Sequence, residues 1–179
     1  MRLCTRDPYD WPTTPQVVFE ERDARDACLQ QFGGVWHWYY VQRFCVEGVE
    51  RSCVMLRTGR DLAVWSAGAP VFVDRSRSVQ HSRLESPFVM AWGGRYWLLV
   101  RDRNREGPGY PAPATLWVST RPDHFEWAEA PVTVFSDLQA PEFVEHEGRL
   151  YVARVSGVSH ACGHRHDTCG WLEIAPVRW

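Results

Sequence analysis

Lysine is missing from this chain: all 20 basic residues are arginine, set against 22 acidic ones, for a formal charge of −2. Either basic residue serves at a solvated position, so the missing lysine carries no functional statement by itself. The near-balance of charge does, and no basic stripe interrupts it. Together they argue against a nucleic-acid footprint or an electrostatic membrane surface. No apolar run approaches the roughly 20 residues of a membrane span. The start, Met1-Arg2-Leu3-Cys4-Thr5-Arg6-Asp7, lacks the apolar core of a signal peptide, so a cytoplasmic protein is expected from the chain as written. The 6 cysteines are irregularly spaced, which imposes no disulfide framework. No stretch carries the 3.6-residue period of an amphipathic helix.

What fills the chain instead is a phrase repeated three times. The first copy is Arg25-Asp26-Ala27-Cys28-Leu29 leading to Gly33-Gly34-Val35-Trp36. The second is Glu85-Ser86-Pro87-Phe88-Val89 leading to Gly93-Gly94-Arg95-Tyr96, and the third is Ala140-Pro141-Glu142-Phe143-Val144 leading to Gly148-Arg149-Leu150. Each has an acidic residue, a short apolar strand, a Gly turn and a second strand. The acids Asp26, Glu85 and Glu142 fall 59 and 57 residues apart. Equivalent acids at equivalent strand starts are expected to converge on one axis.

Around each phrase the rest of a sheet can be read. Gly turns flanked by apolar runs predict hairpins. Third strands are expected at Cys53–Arg57, Leu116–Thr120 and Trp171–Ala175. A turn closed by Trp65 or Trp127 then leads to a fourth strand at Val71-Phe72 or Val134-Phe135. Leu3-Cys4-Thr5, Tyr9-Asp10-Trp11 and Val17-Val18-Phe19 match the later strands of one more unit. Repeats of this length built from short strands mark a propeller-type array. The expectation is an all-β, partial β-propeller of four-stranded antiparallel blades. Residues 1–19 give outer strands of a first blade, 24–73 a second blade, 83–136 a third, and 139–179 an incomplete fourth. Propellers close with 4 to 8 blades. Completion is therefore expected from missing sequence, self-association or another chain.

The ordered set Arg25-Asp26, then Leu84-Glu85-Ser86-Pro87-Phe88, then Ala140-Pro141-Glu142 resembles the five-bladed propeller glycosidases. These are the arabinanase, β-xylosidase, invertase and levansucrase group, glycoside hydrolase families 43, 32, 62 and 68. Leu116-Trp117-Val118-Ser119-Thr120 followed by Phe125-Glu126-Trp127 is also similar to their unit-closing pattern. The resemblance covers almost the whole chain. It implies three carboxylates on the inner strands of successive blades: a base or nucleophile, a transition-state stabiliser and a general acid. Carried over by position, Asp26 is the stabiliser and Glu85 the general acid. The first-blade Asp would lie before Met1, and Ala27 stands where the family usually carries Pro. The resemblance implies a carbohydrate substrate of the furanoside or xyloside class and no cofactor.

Glycoside cleavage sets the requirements on these residues. One carboxylic acid protonates the leaving oxygen while another carboxylate stabilises or attacks an oxocarbenium-like sugar. The acid must stay protonated near neutral pH, through desolvation or a neighbouring like charge, and Asp26 is the expected neighbour of Glu85. Arg25, Ser86, Glu142 and His160 are candidate substrate contacts. Trp36 and Trp92 are the aromatics placed to stack on a sugar, with core packing as the other reading. Asp26 as a turn carboxylate paired with Arg25, and Glu85 as a solvated residue before an edge strand, are the structural readings of the two acids. His160-Ala161-Cys162-Gly163-His164-Arg165-His166-Asp167-Thr168-Cys169 places three His and two Cys within ten residues. Its spacing matches no standard zinc motif, so a loop with incidental polar residues and zinc binding both stay open there, and no metal is assigned. Three functions compete: a glycosidase, a carbohydrate-binding propeller without chemistry, and a protein-binding scaffold. The last lacks a Trp-Asp repeat signature.

Overall fold

The computed structural model describes residues 21–75, 84–102, 113–125, 131–135, 138–159 and 169–177. Residues 1–19, the expected outer strands of a first blade, lie outside them, as do Trp127 and the segment from His160 to Thr168. Every described element is a strand, and no helix among the described residues is long and apolar enough to cross a membrane.

The first sheet holds β1 (Arg25–Phe32), β2 (Val35–Val46), β3 (Val49–Gly59) and β4 (Ala69–Val73), hydrogen-bonded in chain order. The second repeats the arrangement with β5 (Leu84–Trp92), β6 (Arg95–Asp102), β7 (Ala114–Ser119) and β8 (Thr133–Phe135). The third has β9 (Gln139–His146), β10 (Arg149–Ser159) and β11 (Cys169–Pro176). All pairings are antiparallel. An all-β chain of consecutive up-and-down sheets is a partial β-propeller, as the repeat predicted.

Two-residue turns make the meander. Both central residues have positive φ at Gly33-Gly34, Gly93-Gly94, Glu147-Gly148 and Glu47-Gly48. That is the backbone sense that matches the twist of flanking strands, and it is why glycine recurs there. The Glu47-Gly48 turn, which lets β2 and β3 run 12 and 11 residues, is not part of the repeated phrase and goes unseen in it.

The sheets stack face to face, and the core lies between them. Tyr39, Val41, Val54 and Phe72 of the first sheet meet Val89, Leu98, Val100 and Trp117 of the second. On the far side of the second sheet, Met90, Leu99 and Leu116 meet Phe143 and Leu150 of the third. Because both faces of the middle sheet are covered, consecutive residues are buried: Leu98, Leu99 and Val100 are all at most 1% exposed. That is why β6 reads as an unbroken apolar run instead of an alternating one. The turn after β7 clamps the first two sheets. The Tyr39 hydroxyl donates to the Pro122 carbonyl (2.7 Å), and the buried Phe125 donates its N–H to Val71 (2.7 Å). Trp65 packs edge-on against Trp38, a structural place for a turn tryptophan.

Candidate functional site

Each sheet begins with the strand that carries the repeated phrase, and these strands lie side by side, β1 against β5 and β5 against β9. Each is bulged near its start. The register slips between Arg25 and Cys28 in β1 and between Glu85 and Phe88 in β5. In β9 it slips between the residues opposite Val155 and Ala153. The bulged residue is left-handed every time: Asp26 (φ 56°), Ser86 (φ 47°) and Ala140 (φ 43°). Left-handed backbone costs about 1–2 kcal/mol in a residue with a Cβ, and such strain and such bulges gather beside functional sites.

The bulges also correct one expectation. Asp26, Glu85 and Glu142 do not occupy equivalent positions. Asp26 is the bulged residue itself, Glu85 stands one residue before its bulge, and Glu142 follows two after Ala140. An extra residue per strand re-aims side chains, so even spacing of acids in the sequence does not give even register in the sheet.

A cleft of about 360 Å³ opens between the three bulges, lined by Asp26, Cys28, Gln30, Ser86, Pro141 and Glu142 among others. Its size falls within the usual range for small-molecule sites, about 300–1,000 Å³. Asp26 and Ser86 are further joined across the sheets, because the Ser86 N–H donates to the Asp26 carboxylate (3.2 Å). Glu142 is an exposed lining residue. Cys28 is a buried lining residue whose Sγ accepts the Val89 N–H (3.5 Å), and burial pushes its thiol above the usual range. Among the described residues its side-chain hydrogen-bond partner is the Gln30 amide, 3.9 Å away, and the repeated phrase gives no hint that it lines the cleft.

Glu85 stands beside the cleft, with its side chain 15% exposed. Among the described residues, the guanidinium groups of Arg25 and Arg101 hold it. Arg25 lies 3.5 Å from Oε1, while the opposed residue in β6, Arg101, donates to Oε2 (3.3 Å). Arg25 also pairs with Asp26 (3.1 Å) and donates to the Leu84 carbonyl (2.9 Å), so it bridges the two inner strands and both candidate acids. Arg101 was not legible as a site residue. Its signal is a cation at the cross-strand position of Glu85, which requires the bulged register to be known.

Trp36 and Trp92 stand elsewhere. Trp36 is the second residue of β2, opposite Gln31, and Trp92 closes β5, so each is about 17–20 Å along the strand from the bulged end. The Trp92 carbonyl accepts the Trp97 indole N–H (3.0 Å), and Trp92 packs against the core between the second and third sheets. His160 lies outside the described residues. Among those described, no group of three or more His, Cys, Asp or Glu side chains is arranged to hold a metal.

The sequence matches no protein-family model and no curated protein. Solved structures are similar to the fold. A thermostable family-43 glycoside hydrolase superposes with a TM-score of 0.68 at 14% identity, over 99% of this chain and 62% of that one. The fold is that of the five-bladed propeller glycosidases. An endo-arabinase from Bacteroides thetaiotaomicron matches with a TM-score of 0.61 at 13% identity, over 88% of this chain and 51% of that one. The family-32 β-fructofuranosidase BmSUC1 of Bombyx mori matches at 0.52 and 17%, over 74% of this chain and 29% of that one. The chain thus spans less than two thirds of the length of these propellers and corresponds to part of one.

Proposed function

We propose that the cleft between β1, β5 and β9 is a carbohydrate site, and that Glu85 and Asp26 serve glycoside cleavage there. One observation carries the reading: two carboxylates from adjacent inner strands are tied by a single arginine beside a sugar-sized cleft. Glu85 acts as general acid, giving a proton to the leaving oxygen. Asp26, reaching the cleft from its bulge, stabilises the positive charge that develops on the sugar ring. Attack on the sugar carbon falls to a further carboxylate or activated water outside the described residues. Arg25, Ser86 and Glu142 supply substrate contacts. The substrate class is a furanoside or xyloside, on the resemblance drawn from Arg25-Asp26 and Glu85-Ser86-Pro87 and on the likeness to family-43 and arabinase folds.

The pairing of both Glu85 oxygens with guanidinium groups favours a second reading, sugar binding without turnover. Proton delivery requires Glu85 to be freed from at least one of them. Hydrolysis of 4-nitrophenyl arabinofuranoside and xyloside separates the two readings. Under the glycosidase reading, Glu85→Gln lowers kcat by about 10²–10⁴, the usual worth of a general acid, and Asp26→Asn lowers it comparably. Turnover that is undiminished in Glu85→Gln removes the acid assignment. Sugar binding with no turnover in the unsubstituted chain selects the second reading.

A further inference from the structure

Arg25 and Arg101, both paired with Glu85, differ in how firmly they are held. Arg25 lies on the first strand of its sheet, its side chain is 40% exposed, and it divides its donors among Asp26, Glu85 and the Leu84 carbonyl. Arg101 lies on β6, which is hydrogen-bonded on both sides, to β5 and β7. Its side chain is only 12% exposed, and it sits directly opposite Glu85 in the ladder. The residue after Glu85 is the strained Ser86, so backbone geometry re-aims the chain just where the carboxylate leaves it. A long acidic side chain at such a bend needs a fixed partner to hold one rotamer.

We propose that Arg101 is the positioning residue of Glu85: it holds Oε2 from the rigid middle strand, while the solvent-facing Arg25 is the partner a bound substrate displaces from Oε1. This rests on the reading of Glu85 as a site residue. In this role Arg101 acts through the Glu85 carboxylate and not on the sugar. Arginine suits the task because its planar, permanently charged head offers fixed donors. Lysine at the same position keeps the charge and loses the fork. Asp26 and Ser86 line the cleft, and Glu85 stands beside it, next to Ser86 in the chain.

The test uses carbodiimide-driven coupling of glycine amide to carboxyl groups, read residue by residue by peptide mass mapping on the full chain. It needs no turnover. A carboxylate oxygen held in an ion pair on a side chain only 15% exposed is shielded from the reagent, and losing the charged hydrogen bond frees it. Arg101→Met should therefore speed Glu85 labelling about tenfold, while Arg101→Lys restores most of the protection. Asp26 and Glu142 should label at unchanged rates in both variants. Equal Glu85 labelling in Arg101→Met and the unsubstituted chain would overturn the assignment. So would a joint rise at Asp26, Glu142 and Glu85, which marks loosened packing; Arg101→Gln replaces the Met variant if that one fails to fold. Where aryl glycosides are turned over, Arg101→Met should lower kcat with little change in KM, and more for a poor leaving group than for a dinitrophenyl one. If no sugar is cleaved or bound yet the labelling pattern holds, the carbohydrate reading fails and the Arg101–Glu85 assignment stands.

Discussion

The strain at the head of each inner strand is a property of single residues, and it can be measured there. Ala140 adopts φ 43° with no side-chain hydrogen-bonding group to compensate, whereas Asp26 accepts the Ser86 N–H. Glycine removes the steric cost of about 1–2 kcal/mol and adds an entropic cost of about 0.5–1 kcal/mol. Ala140→Gly is therefore expected to stabilise the fold by about 0.5–1 kcal/mol in urea unfolding; a loss of stability would show that the bulge is not strained. His37 makes a second prediction at this scale. Its ring packs 5.1 Å from Phe32 and 6.2 Å from Tyr39, and its Nδ1 lies 3.0 Å from the Val35 carbonyl. Burial pushes the imidazole below its ordinary value of 6.5, so the unfolded chain takes the proton at a higher pH than the folded one. By linkage, stability rises with pH wherever the unfolded state binds more protons. The contribution is complete above about pH 6.5 and is lost as pH falls from there toward the lower folded value. His37→Phe should flatten the fall in Tm between about pH 7 and pH 5.5, and an unchanged slope would count against a buried neutral ring.

Strands and turns carry the next scale. The middle sheet buries both faces, and its contiguous residues Leu98, Leu99 and Val100 belong to different cores. Leu99→Ala should cost about 2–5 kcal/mol as a cavity between the second and third sheets. Leu172→Ala, at a position 69% exposed on β11, should shift stability by less than about 0.5 kcal/mol. Comparable losses at the two positions would contradict the stacking described. The strands themselves were legible because glycine turns and apolar runs are local signals. Gly33-Gly34, Gly93-Gly94 and Gly148 each mark a hairpin; Cys53–Arg57 lies within β3, and the expected strand Leu116–Thr120 overruns the end of β7 at Ser119 by one residue. The bulges were not legible. Asp26, Ser86 and Ala140 share a backbone state but no residue type, so the sequence suggested an alignment of acids that the ladders do not keep.

At the scale of the molecule, three stacked sheets bring the first strands of distant segments to one cleft. Nothing local in Arg25-Asp26 points to Ser86 or Glu142; the repeat does, because equivalent strands of a propeller lie side by side. Asp26, Ser86 and Glu142 meet in the cleft for that reason. Arg101 is not legible in the sequence because its pairing with Glu85 depends on bulged register, and Trp36 and Trp92 lie at the other ends of their strands. Both functional readings share one claim, that this cleft holds a sugar. Amide chemical-shift mapping with arabinotriose and xylotriose addresses it without requiring turnover. At least one trisaccharide should shift the amides of Gln30, Ser86 and Glu142 in a saturable way, and Asp26→Ala should weaken that binding about tenfold, the loss of one charged hydrogen-bonding partner. No saturable shift with either sugar, or shifts confined to residues remote from the three bulges, would mean that the cleft is not a carbohydrate site.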